Sequence, residues 1–292
     1  MAIYRINYFS KRKKEDDEIS DEQLGVLAGA GLGYLGSRAV RNHQVGRLVN
    51  SKNSSEVLKN KLIDEARGLG VEVKSNPGFN NSAYTGNSAW QRKVGELTKK
   101  SKGYENLPEP LKQLYGDLGK DKIHLGRGPL SDADVLSHEL GHAKLSKSGR
   151  SKNIIGRASH KMMTPAKLVG GNKVSVLNGF RSGMVAAKRK AEGKEESKLN
   201  KHSAWALPAI SHGVVVTAEG SASHEGLKSL KKAGANAKYL KKAKGRLGAA
   251  LGSYIAGGAM AASLGIGSRE LGKIVGKQVY KDKGNKRKKD RD

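Results

Sequence analysis

The pentapeptide His138-Glu139-Leu140-Gly141-His142 restricts its surroundings more than any other segment of the chain. A helix puts residues i and i+4 on one face, so the two imidazoles can meet a single cation with the intervening Glu139 turned toward it. The flanks agree with a helix. Ser131 followed by Asp134 has the layout of a capping box with Asp in place of Glu, and Pro129 discourages an earlier start. Val135, Leu136, Ala143 and Leu145 supply a buried surface, Gly149 is a stop signal, and a residue as small as Gly141 suits close packing beside a metal.

The chain has no Cys, which excludes disulfides and thiolate metal sites, so a metal here is held by His and carboxylate. With 36% apolar and 5% aromatic residues but 38 Gly among 292, the predicted core is built from Ala, Gly and Leu with close helix contacts. The charge is extreme: 55 Lys and Arg against 27 Asp and Glu, a net +28. That balance favours anionic partners, either an anionic membrane surface or non-specific nucleic acid. It concentrates at 228–246, with eight basic residues and no acidic one, and in a basic tail at 281–292. No aromatic recognition motif accompanies it, so a nucleic-acid contact would be phosphate-directed and salt-sensitive, and a solvated helix face explains the charge equally well. The N-terminus shows no apolar run of signal-peptide length, which predicts a cytoplasmic or membrane-associated protein.

Four regions are expected: a basic and acidic N-terminal arm with a Gly-rich helix (1–53), a central domain (54–245), a Gly/Ala-rich, possible membrane-contacting helix (246–280), and the tail (281–292). The uncharged run 24–37 contains Gly31-x-Gly33-x-x-Gly36, but no strand precedes it, so a helix with a glycine face is the better reading than a dinucleotide loop. An amphipathic helix over 54–69 turns Val57, Leu58, Leu62, Ala66 and Leu69 inward. Strand-like residues 70–75 turn at Asn76-Pro77-Gly78 toward a return strand at 81–84, and 107–118 is a short helix. Residues 122–128 read as a strand leading into the motif helix. Its Ile123, His124, Leu125 and Gly126 are the candidate edge that would hold an extended peptide by backbone hydrogen bonds. Two further uncharged runs follow: 203–218, interrupted by Pro208, and 247–268, whose twenty-two residues match a bilayer in length although Gly, Ala and Ser make it weakly apolar.

A third metal ligand must lie downstream. Ser148 occupies the place where one class of such sites carries a third His, and Glu192, Glu195 and Glu196 sit in a charged stretch. Glu219 instead follows Val214-Val215-Val216-Thr217-Ala218, where a carboxylate is costly to bury unless it is paired or metal-bound.

With these residues in hand, the chain resembles the gluzincin metallopeptidases of the HtpX and CaaX-prenyl-protease type. The resemblance rests on the strand and turn 123–131 leading into Val135-Leu-Ser-His-Glu-Leu-Gly-His142, on Glu219-Gly-Ser-Ala222, which is similar to the family's E-x-x-A segment, and on the helix and glycine turn over 227–234. It covers about residues 54–245. It implies a mainly helical α+β, zincin-like metallopeptidase domain with a small edge-strand sheet beside the motif helix. It further implies one Zn2+ on His138, His142 and Glu219, Glu139 as general base, and a peptide or protein substrate. The chain departs from the family at Ser223, where a second-shell Asp is usual. His212 and His224 are the candidates to add polar support or to stabilise an oxyanion, and each also reads as a structural histidine.

A different expectation comes from composition. Gly/Ala-rich helices with a basic tail suit a membrane-active or virion-internal protein of the phage-ejection kind, carrying the zincin domain with weak or no turnover.

Overall fold

The computed structural model describes residues 21–50, 55–76, 78, 82–86, 88–126, 132–147 and 151–289. The N-terminal arm before residue 21 and the predicted signals Pro129, Ser131 and Gly149 lie outside them. In chain order the elements are α1 (Asp21–Asn50), α2 (Glu56–Gly68), β1 (Glu72–Ser75), β2 (Ala83–Thr85), α3 (Ala89–Lys99), α4 (Glu109–Gly116) and β3 (Lys122–Leu125). Then come α5 (Ala133–Ser146), which is the motif helix, α6 (Ile154–Val169), α7 (Asn172–Ala191), α8 (Lys198–Lys232) and α9 (Ala237–Lys289). The chain is thus mostly helical with one small sheet, as a mainly helical α+β reading requires.

Local chemistry sets several of the helix starts. Ser55, Ser88, Asn153 and Ser197 each accept from a backbone N–H three residues on, at the first turns of α2, α3, α6 and α8. Gly234, at φ 93°, follows the end of α8 in a conformation that side chains disfavour. Within α8, Pro208 cannot donate a hydrogen bond to the carbonyl of Ala204. Gly265 of α9 packs onto that carbonyl so closely that a methyl group there would collide with it. The run 203–218, which carries Pro208, is helical throughout and lies within a continuous α8.

The sheet corrects two expectations. Its strand order is β1-β3-β2, with β3 parallel to β1 and antiparallel to β2. The segments 70–75 and 81–84 do not pair as a hairpin, because β3 inserts between them. And β3, read as an exposed edge, is the central strand with both ladders occupied, so Ile123, His124 and Leu125 are buried. A four-residue strand with Ile and Leu on one face and His on the other reads equally well as an edge or a centre, and only the partners decide.

One core fills the space between this sheet, α2, α5 and α8: Leu58, Leu62 and Ala66, then Ile123 and Leu125, then Leu136, Leu140 and Ala143, and Leu230. Val57, predicted inward, is 68% exposed. Helix α5 runs through the middle and is buried nearly all round. Its N-terminus is tied to α9 by a buried ion cluster. The Nη1 of Arg246 lies 2.8 Å from Asp132 Oδ2 and 2.8 Å from Asp134 Oδ1, so the Asp134 that suggested a capping box serves as an arginine partner. Replacing Arg246 by Met would remove the guanidinium that both buried carboxylates share. Breaking a pair of this kind costs about 3–5 kcal/mol, and urea denaturation of Arg246→Met should show a loss of that order.

Buried His124 gives a pH signature. Burial lowers its pKa, an effect that Lys74 and Lys122 reinforce and that Asp117, 3.4 Å away, opposes. It is neutral in the fold, while the unfolded chain takes up a proton near the ordinary value of about 6.5. Its contribution to stability is complete above that value and is lost as pH falls from there toward the folded pKa. Denaturation midpoints of the wild type should drop below pH 6.5 relative to His124→Leu, with a differential slope of at most about 1.4 kcal/mol per pH unit.

Candidate metal centre

Helix α5 sets His138 and His142 one turn apart with their rings edge to face, centroids 4.8 Å from each other. Helix α8 crosses α5 at the level of these rings, and two glycines allow it. A methyl group on Gly141 would run into the carbonyl of Ala222, and one on Gly226 would press on Ser137 and His138 at 2.5–2.9 Å. The backbones therefore touch at Gly141–Ala222 and Ser137–Gly226. One turn before Ala222, Glu219 meets the histidine face. Its Oε2 lies 3.1 Å from His138 Nε2 and 3.2 Å from His142 Nε2. The three donor atoms lie within 4.8 Å of one another, a group able to hold a metal ion.

The carboxylate of Glu219 has further partners. Lys167 of α6 donates to Oε1 at 2.9 Å, and Tyr254 of α9 also hydrogen-bonds this carboxylate, with the Lys167 ammonium 5.5 Å above the Tyr254 ring. Burial would raise the Glu219 pKa, but the charge of His142 and the hydrogen bonds from His138 and His142 hold it well below the ordinary carboxylate range. Burial would lower that of His138, yet the hydrogen bond to Glu219 and the charge of Glu139 outweigh it and raise it. Glu219 is thus an anion whose field favours positive charge at His138.

The outward nitrogens of the two imidazoles are also engaged. His138 Nδ1 is 3.0 Å from Ser223 Oγ, and His142 Nδ1 is 3.2 Å from Nδ1 of His160 on α6. Burial pushes the His160 pKa down to about 3, helped by repulsion from His142, so His160 is neutral and can accept a proton's hydrogen bond. With Nε2 as ligand, Nδ1–H of each histidine donates outward, and both have an acceptor placed for that role. Glu139 is buried on the same helix, near enough for its charge to bear on His138 and Tyr254.

Of the residues read from the sequence, His138, Glu139, His142, Glu219 and Ser223 converge. His212 and His224 do not. The ring of His212 hydrogen-bonds the carbonyl of Pro208 at 3.1 Å and lies against Gly258, and His224 is exposed on α8. Gly126 donates to Ser82 Oγ at 3.0 Å, and with β3 central it offers no open edge. Among the described residues, the free edge nearest the site belongs to β2, which packs on α5 and whose Tyr84 ring lies 6.4 Å from His160. His160, Lys167 and Tyr254 escaped sequence reasoning. The one available signal was the seven-residue spacing of His160 and Lys167, which puts both on one face of α6.

The chain matches no family model, no curated protein and no solved structure.

Proposed function

We propose that this chain is a zinc-dependent endopeptidase. The observation that carries the reading is the meeting of His138 Nε2, His142 Nε2 and one oxygen of Glu219 beside Glu139. Two imidazoles and a carboxylate are the donor set of a catalytic zinc with an open fourth position, and no thiolate is available to favour a closed structural site. Bound there, zinc would acidify a water molecule and polarise a carbonyl oxygen.

The protein's own groups do the rest. Glu139 takes the proton of the attacking water and passes it to the departing amine. Ser223 and His160 keep the two imidazoles in the tautomer that presents Nε2. Lys167, with a side chain 45% exposed, holds Glu219 Oε1, Tyr254 hydrogen-bonds the same carboxylate, and Oε2 faces the two imidazoles. The edge of β2, rather than β3, is the strand along which an extended peptide would pair.

The test combines metal analysis with cleavage of an unstructured protein such as casein. Purified wild type should carry about one zinc per chain and cleave. Glu219→Ala should lose the metal and the activity together, whereas Glu139→Gln should keep the metal and lose about a hundredfold or more in rate. Cleavage that survives in Glu139→Gln, or zinc content unchanged in Glu219→Ala, would overturn the assignment.

A further inference from the structure

Helices α1, α7, α8 and α9 form a bundle whose polarity is reversed from that of a water-soluble one. Its interior holds small residues: Gly183 lies against the Arg269 carbonyl, Gly272 against that of Phe180, and Ser175, Ser182 and Ser268 are buried. Bulky apolar side chains point outward instead. Leu32 of α1, Leu177 of α7 and Ile210 of α8 are each about 70% exposed, and Trp205 and Ile255 about half. Soluble bundles bury such side chains, because removing them from water drives the helices together. In lipid that drive vanishes, and helices associate through small residues that let their backbones approach.

The exposed groups share one level. Gly33 faces Ser263 and Ala30 faces Gly267, so α1 runs antiparallel to α9. Gly179 and Ala204 both meet Gly265, and His212 meets Gly258. These contacts align the uncharged stretches 26–37, 203–218 and 255–268 with the short apolar segment 174–180 of α7. Cations border the belt on both sides: exposed Arg38, Arg41 and Lys173 toward the metal centre, and exposed Arg181, Lys188 and Lys277 at the far end. Among the described residues, the belt itself exposes no carboxylate. α9 is also the one described helix that is long and apolar enough to cross a membrane, and only 33% of its most apolar stretch is buried.

We infer that this belt seats in an anionic lipid bilayer, with the candidate metal centre at its boundary. Fourteen residues of helix at 255–268 rise about 21 Å, short of the roughly 30 Å hydrocarbon layer. Lys and Arg stems on both rims cover the remainder by reaching out to the headgroups, and the phosphates neutralise their charge.

The full chain is mixed with vesicles of equal parts phosphatidylcholine and phosphatidylglycerol. Changing Trp90 to Phe leaves Trp205 as the sole indole. On flotation the protein should rise with the vesicles, and acyl-chain-brominated lipid should quench Trp205 at least about twofold. The double change Leu177→Asp and Ile210→Asp, with circular dichroism unchanged, should weaken flotation roughly tenfold or more. Because the quenching uses the intact belt, it stands even if the double variant misfolds. Three results would overturn the inference. Trp205 could stay open to aqueous iodide and untouched by brominated lipid. Salt could release the protein completely with no bromine quenching, which is surface adhesion alone. Or Trp205 could be shielded from iodide without vesicles in a dimer, which would make a second copy the occupant of the belt.

Discussion

Everything at the candidate metal centre depends on how closely two helices can cross. Three donor atoms from α5 and α8 can surround one ion only if the helix axes stand nearer than ordinary side chains permit. Gly141 and Gly226 remove the side chains at the crossing, and backbone then rests on backbone at Ala222 and Ser137. The surrounding core, from Leu62 to Leu230, fixes the angle at which the two rods meet. The sheet contributes to this orientation through β2 and β3, which both pack on α5.

The centre divides labour between the two oxygens of a single carboxylate. Oε2 of Glu219 faces the imidazoles, Lys167 of α6 holds Oε1, and Tyr254 of α9 hydrogen-bonds the same carboxylate. Four helices therefore supply the polar atoms around one point, and every ring nitrogen of the two motif histidines has a partner. The Ser223 hydroxyl lies 3.0 Å from His138 Nδ1 and adds no negative charge to a site that already contains Glu139 and Glu219.

The histidine pair, Glu139 between them and Glu219, which completes a group able to hold a metal ion, were legible in the sequence, because helix periodicity dictates the first three and the cost of an isolated buried carboxylate marks the last. Ser223 was singled out through the family resemblance, at the place where an Asp is usual. The failures have a common cause. Which strand is central, and whether His212 or His224 turns toward the ion, depends on neighbours far away in the chain. Nothing in Lys122–Leu125 encodes that β1 and β2 will flank it. His160, Lys167 and Tyr254 arrive on α6 and α9, whose docking onto α8 at Gly156, Gly170, Gly258 and Gly265 is not encoded near those three residues. The same small-residue composition hid the bundle. Each uncharged run looked like a separate weak segment, and their common level became visible only when the glycine contacts aligned them.

Helix α9 has one more property, which follows from its continuity. A single unbroken rod carries Arg246 at the start of α5, Tyr254 at the carboxylate of Glu219, and then the outward-facing Ile255 and the glycine contacts beyond it. Were α9 to tilt, Arg246 and Tyr254 would move together, because one continuous helix carries both. The far end of α9 is thus joined by a single element to two of the groups that surround His138, His142 and Glu219.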